Sequence, residues 1–443
     1  MFSCSMFAKY LPQFIMLALL TIIPSDDLND QLARIRQILL LDSATPSNAA
    51  AANQPKKPAT NNPANKSSPD EVAVAPSKPK WTKEQELRRA KIASCLATYY
   101  RQPVDADKLR PWSIMHGLIG YGQRSWTIVG GKSVNTVEYL AANGAGDGIQ
   151  ILYLEDGKIQ TRLGPGVQGH EGQLLAMFAQ ADVPATQPMT IEGKSFTVQD
   201  LIDFEMIGCT SGKELTFKLI ALAHYLDPDA RWKNHLGEDW DMSRLIREEL
   251  AQPLTEGACG GTHRLTALSY AVNARVKRNQ PLEGVWLRAD TYVMACQGHT
   301  FNNLQNSDGS FSTLFFKGRE NHTDLMRRLY ATGHILEWLA YSLPEKNLHD
   351  FRVTVAVDYL LDLMLTAPGH ALDVGPRGHA IHALVIYEQR AFGTPSDWAD
   401  TKNIVKLPMT SKMILPSATK SGIPSDNGLN SSPYKRSSFM RRR

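Results

Sequence analysis

The stretch GTHRLTALSYAVNARV, Gly261 to Val276, opens on a glycine and a histidine and runs on as a helix-like sequence without a break. Four other stretches open the same way: GHEGQLLAMFAQADVP from Gly169, GHTFNNLQNSDGSF from Gly298, GHILEWLAYSLPEKNL from Gly333 and GHAIHALVIYEQRAFG from Gly378. WSIMHGLIGYG, around His116, is a weaker relative. The histidines at 170, 263, 299, 334 and 379 are 93, 36, 35 and 45 residues apart, and the Leu215 to Leu226 helical pattern falls inside the first, double-length gap. Such periods point to stacked supersecondary units. Each unit reads as a helical hairpin in which one helix begins at Gly-His and the other faces solvent. About six hairpins account for the chain from Trp81 to Trp398,.

If the inner helices all run the same way, their N-termini gather at one mouth. His170, His263, His299, His334 and His379 then surround it, where helix dipoles and free N–H groups favour an anion or an electron-rich group. Each histidine taken alone fits a capping or packing role equally well.

The chain has 443 residues and is 43% apolar, enough for one large domain or two ordinary ones,. Its net charge is +4, but the last 43 residues carry nine Lys/Arg against Asp426 alone, which leaves the rest at −4. An acidic body with a basic tail argues against a nucleic-acid partner, because the positive charge is not arranged around stacking aromatics.

Residues 1–25 read as a signal peptide or membrane anchor. Lys9 precedes an apolar run from Leu11 to Pro24, short for a bilayer span but suited to a secretory segment,. No clean cleavage site follows, so an uncleaved anchor with Leu28, Leu32, Ile35 and Leu39 along the membrane surface stands beside an export signal,. The expected location is exported, either periplasmic or membrane-anchored. Residues 26–80 combine that amphipathic stretch with a Pro/Ala/Asn-rich linker, and 401–443 form a basic tail; both compositions predict disorder. Cys95, Cys209, Cys259 and Cys296 remain after the leader, in a spacing that ranks neither disulfides nor metal binding,.

Within 81–400 the pattern is helical except between about 121 and 197. There IVGGKSV, ILYLEDGKIQT and MTIEGKSFT read as a small insertion of β-hairpins,. Thr197 with Asp200, and Ser211 with Glu214, read as helix starts,.

LQNSDGSFS, Leu304 to Ser312, resembles the Gln-x-x-x-Gly-x-aromatic motif of squalene and hopene cyclases and their prenyltransferase relatives, with Gln305, Gly309 and Phe311 on its positions. The resemblance covers the repeat body and implies an all-α chain, an α/α toroid of about six helical hairpins, in which that motif ties a helix end to the next turn. It also brings polyprenyl compounds forward as a ligand class. The cyclases' Asp-x-Asp-Asp proton donor is absent, EDWD at Glu238 to Asp241 being the nearest acidic cluster. The resemblance therefore carries the fold and not the catalytic residues.

Three chemistries remain. Carboxylate-assisted action on a glycan would use His263, His334, His170, Glu171 and Glu337 as catalytic groups, with Asp308 and Glu256 as further acids and His299, His379 and Cys259 binding ligand. A zinc centre resembling those of toroid enzymes would draw on Cys259, Cys296 and His299, or His263. A Cys259 nucleophile with His263 as its base needs an electropositive niche. The alternative to all three is a binding or scaffold toroid without catalysis.

Overall fold

In a computed structural model the described residues are 81–367, 372–393 and 395–399. The expected leader, linker and basic tail lie outside them. The chain divides into two contact units after Thr82, and the second, from Lys83 onward, carries every element named below.

Among the described residues there are twelve α-helices, and four short hairpins fall among the first seven of them. They are α1 (Lys83–Tyr100), α2 (Pro111–Tyr121), α3 (Thr136–Ala141), α4 (Gln173–Gln180), α5 (Val198–Ile207), α6 (Thr216–Tyr225), α7 (Met242–Leu250), α8 (Thr262–Lys277), α9 (Gly284–His299), α10 (Leu325–Ser342), α11 (Phe351–Thr366) and α12 (Val374–Phe392). The strands are β1 (Val104–Asp105), β2 (Trp126–Val129), β3 (Lys132–Asn135), β4 (Leu152–Glu155), β5 (Lys158–Thr161), β6 (Pro188–Ile191), β7 (Lys194–Thr197), β8 (Arg231–Lys233) and β9 (Asp239–Asp241). β2–β3, β4–β5, β6–β7 and β8–β9 are antiparallel pairs, and β1 adds to β2 in parallel.

The hairpins are not one insertion. β8–β9 lies well beyond the expected 121–197, and α3 and α4 lie within it. Three hairpins instead share one local device: the last strand residue is also the N-cap of the following helix. Asn135 accepts from Glu138 N–H at 3.1 Å, Thr197 forms a capping box with Asp200, and Asp241 accepts from Arg244 N–H at 2.6 Å. Side-chain oxygens thus satisfy orphan N–H groups where the chain changes from extended to helical. Ser211 and Glu214 do not cap α6 as expected. Ser211 bonds Glu248, and Glu214 turns to His170.

The longest buried runs lie in even-numbered helices. All eight residues from Thr216 to Ala223 of α6 are buried, and α10 is buried continuously from Ala331 to Ala340. Helices buried on all sides belong to the centre of a large core. α2 packs on α4, α4 on α6, α6 on α8, α8 on α10, α10 on α12, and α12 again on α2. Odd-numbered helices pack against one or two of these: α5 on α6, α9 on α8 and α11 on α10. α7 shows the matching amphipathicity, burying Met242, Leu245, Ile246 and Glu249 at helical spacing,.

Gln305 donates to the carbonyls of Arg352 at 2.7 Å and Gly309 at 3.3 Å, tying its turn to the first turn of α11. Gly309 has φ +91° and no room for a Cβ, which would overlap the Val355 carbonyl, while Phe311 is fully buried.

Candidate functional site

The site grows from two close helix crossings. A Cβ on Gly378 of α12 would overlap the His116 carbonyl of α2, and one on Gly333 of α10 would stand 3.2 Å from Ala380 of α12. Only glycine lets these backbones approach so nearly. The next residue in each case, His379 or His334, is then delivered into the shared centre. The His334 and His379 rings lie 3.8 Å apart, His263 is 5.3 and 5.0 Å from them, and His116 is 5.2 Å from His379.

The Gly-His pairs are therefore not a uniform set of helix starts. His334 and His379 sit inside their helices, His263 lies in the first turn of α8, His170 precedes α4, and His299 ends the outer helix α9. His299 is exposed and takes no part in the cluster.

Hydrogen bonds define the tautomers. His116 Nδ1 is 2.6 Å from the Trp112 carbonyl and His334 Nδ1 is 2.7 Å from that of Tyr330. A carbonyl only accepts, so both Nδ1 atoms carry the proton and each Nε2 presents a lone pair. His334 Nε2 is buried without a hydrogen-bond partner. Glu337, one turn on from His334, receives His379 Nδ1 at 2.7 Å and His382 Nδ1 at 2.5 Å on its two oxygens. Burial lowers His116 to about 4, and burial next to other imidazoles holds His263, His334 and His379 well below the ordinary histidine range,. These rings are neutral at physiological pH.

Cys259 approaches from the loop before α8. It adopts φ 50° and ψ 49°, and Gly260 and Gly261 continue in positive φ. Three successive left-handed residues reverse the chain tightly, and the non-glycine member carries a strain of about 1 kcal/mol. The turn is held from outside, since a Cβ on Gly260 would overlap the Phe315 ring and one on Gly261 the Leu254 carbonyl. Cys259 Sγ and one nitrogen each of His263 and His334 lie within 4.8 Å of one another. Burial pushes the Cys259 thiol up to about 12, only partly opposed by its hydrogen bond with Tyr330. The thiol is protonated at neutral pH, so this is not the niche of a free thiolate nucleophile.

The expected ligand set Cys259, Cys296 and His299 does not come together. Cys296 lies on α9, buried next to Tyr292, and His299 at the exposed end of that helix accepts from Asn303 at 3.1 Å. Cys95, Cys209, Cys259 and Cys296 are all free thiols.

His170 stands at the margin. Its Nδ1 is 2.6 Å from Glu214, and Phe217 fills the space between it and His263, with ring distances of 4.9 and 5.0 Å. Burial alone would raise Glu214, but the interactions with His170, the Ala258 N–H and Arg264 together outweigh it and hold the carboxyl below its ordinary value. Glu171 is exposed, 3.5 Å from Lys218, whose close partner is the buried Glu205 at 2.6 Å. Asp308 is engaged by Ser310 and Arg328, and Glu256 is exposed in a short turn.

The opening lies at the other end from the one expected. Residues near the C-terminal ends of all six even-numbered helices line one open basin of about 810 Å3, among them Tyr121, Gln180, His224, Tyr270, Tyr341 and Gln389. Tyr270 and Tyr341 are stacked 4.2 Å apart and nearly parallel. Converging C-termini give the basin a negative dipole field. Lys277, Arg278 and Arg390 offset it, Arg390 by donating to the Ala340 and Tyr341 carbonyls at 2.6 and 2.8 Å. His382 lines the basin and reaches back to Glu337, so basin, His382, Glu337, His379 and the buried cluster are contiguous. The sequence reading missed His382; its signal was the second histidine of GHAIHAL, one turn after the first.

No protein-family model, curated protein or solved structure matches this chain.

Proposed function

We propose that the even-numbered helices are the inner ring of an α/α toroid, and that its open basin binds a hydroxyl-rich ligand of the glycan class above the His382–Glu337 pair. The observation that carries this reading is the convergence of six helix C-termini on one basin with His382 in its wall. The order of contacts among α2, α4, α6, α8, α10 and α12, which returns to its start, supports the ring.

The lining favours a glycan over a polyprenyl chain. Side-chain amides of Gln123, Gln180, Asn273 and Gln389 give paired donors and acceptors for hydroxyls, and the Tyr270–Tyr341 stack offers an aromatic edge,. A polyprenyl tail needs a continuous apolar wall. His382 is the group placed to exchange a proton with a bound ligand, and Glu337 fixes its orientation through Nδ1,. Among the described residues no helix is long and apolar enough to cross a membrane. The apolar run from Leu11 to Pro24 supports export or membrane attachment through residues 1–25,, and loss of the protein from the exported or membrane fraction on deleting them tests that assignment.

Calorimetric titration of the full chain with soluble oligosaccharides and with polyprenyl phosphates tests the ligand class. Oligosaccharide binding that weakens at least tenfold in Tyr341→Ala and His382→Ala supports it. Binding of polyprenyl phosphates alone, or oligosaccharide binding indifferent to both substitutions, overturns it.

A further inference from the structure

We infer that Cys259, His263 and His334 form a binding site for a zinc-type divalent ion within the buried histidine cluster, at residues that do not themselves line the basin. Three donors of suitable type lie within 4.8 Å of one another. In a tetrahedral zinc site, neighbouring S and N donors stand roughly 3.3–3.6 Å apart, so closing on an ion asks each side chain to move by about 1 Å or less. Cys259 and His263 are four residues apart, in the loop before α8 and its first turn, whereas His334 comes from the middle of α10. No local turn requirement brings His334 to the other two.

Two further observations point to a ligand. His334 is 1% exposed, and its Nε2 has no hydrogen-bond partner. The Tyr330 carbonyl takes Nδ1–H at 2.7 Å, which leaves the Nε2 lone pair free to bind. A backbone carbonyl on one nitrogen and a bare lone pair on the other is the usual state of a metal-bound imidazole. A buried polar atom left unpaired otherwise costs about 1–3 kcal/mol, which an ion would remove. The second is the backbone at Cys259, Gly260 and Gly261, held left-handed at three consecutive residues by Leu254 and Phe315 so that Cys259 stays beside the imidazoles.

The donor set selects the ion. One sulfur and two imidazole nitrogens suit zinc or cobalt and exclude magnesium and calcium, which take oxygen. On binding, the metal–sulfur bond replaces the S–H bond and the thiol proton leaves to solvent. The burial that disfavours a free thiolate does not disfavour a metal-bound one, since the ion supplies the opposing charge. Three protein ligands leave a fourth position open, the arrangement of catalytic rather than purely structural zinc.

The test uses tag-free full-length protein, stripped with chelator and reloaded separately with Zn2+ and Co2+. About one zinc per chain after gel filtration, and a thiolate-to-cobalt charge-transfer band in the cobalt form, are expected. Cys259→Ser should abolish that band and His334→Gln should weaken zinc at least tenfold, while Cys296→Ser leaves both unchanged. Circular dichroism identifies any variant that fails to fold, and for such a variant, zinc-dependent protection of wild-type Cys259 from alkylation, with Cys296 unprotected, replaces the comparison. Wild type that retains no zinc, a cobalt form without the band, or a band that disappears in Cys296→Ser instead overturns the assignment.

Discussion

Acidification from about pH 7.5 to pH 5 should destabilise this protein through its buried imidazoles. His116 is 3% exposed and titrates at about 4 in the folded chain, against roughly 6.5 when unfolded,. Its folded value is depressed, so between these two values the unfolded state binds more protons and stability falls as pH falls. At pH 5 the unfolded imidazole is about thirtyfold biased toward protonation and the folded one is still mostly neutral, which gives about 2 kcal/mol from His116 alone. His263, His334 and His379 are shifted in the same direction by burial, so each adds to the loss in the same window,. Carboxylates held below their ordinary values, such as Glu214, Asp308 and Asp350, lose their contribution only at lower pH. The assay is urea unfolding followed by tryptophan fluorescence at pH 7.5, 6 and 5, with chelator present throughout. A midpoint falling steadily across that window, by about 2 kcal/mol less in His116→Gln than in wild type, is expected. A midpoint unchanged between pH 7.5 and 5 would refute the neutral, buried cluster.

Other substitutions separate close approach from mere helix propensity. Gly378→Ala must displace the His116 carbonyl and should cost about 1–3 kcal/mol, while Gly298→Ala, with open space around it on exposed α9, should be neutral or stabilising by up to about 1 kcal/mol; thermal unfolding distinguishes them,. Glu249→Ala removes the acceptor of Leu215 N–H, Thr216 Oγ1 and Arg264 Nε and leaves Arg264 buried without its counter-charge, for an expected loss of about 3–5 kcal/mol in urea unfolding,. Glu337→Gln keeps the volume but cannot accept from both His379 and His382 on equivalent oxygens. Ligand affinity in the basin should drop more than stability does, read by paired titration and unfolding measurements,.

The glycine-histidine recurrence was visible in the sequence, but its meaning was not. The shared dipeptide arises because a Cβ-free position permits a tight crossing and the following side chain then points into it, as at Gly333–His334 and Gly378–His379. Nothing local distinguishes those pairs from Gly298–His299, which ends an outer helix and meets solvent. The difference lies in which helix faces which, a property of packing rather than of spacing. Cys259 shows itself as the departure from the repeat, and its expected pairing with His263 is met, whereas Cys296 and His299 stay apart because separation along the chain says little about separation across a core. His334, expected as a catalytic group, is the third donor, brought beside Cys259 and His263 by α10. The hairpins were legible where a glycine turn joined extended residues, while β8–β9, with Gly237 between charged and aromatic residues, gave a weaker signal.

The crossing of α12 over α2 joins the last described helix to one of the first. On a ribosome, α2 through α10 emerge and pair with neighbours made just before them, but the seat for Gly378 beneath the His116 carbonyl stays vacant until almost the whole chain is out. His334 and Glu337 then wait without His379 and His382, so the nascent chain holds an unfinished polar centre that no earlier segment can complete. Final assembly depends on a long-range contact, and such contacts form more slowly than local ones. A chain truncated ahead of α12 would lose every element of the cluster contributed by that helix at once, and could not acquire them by degrees.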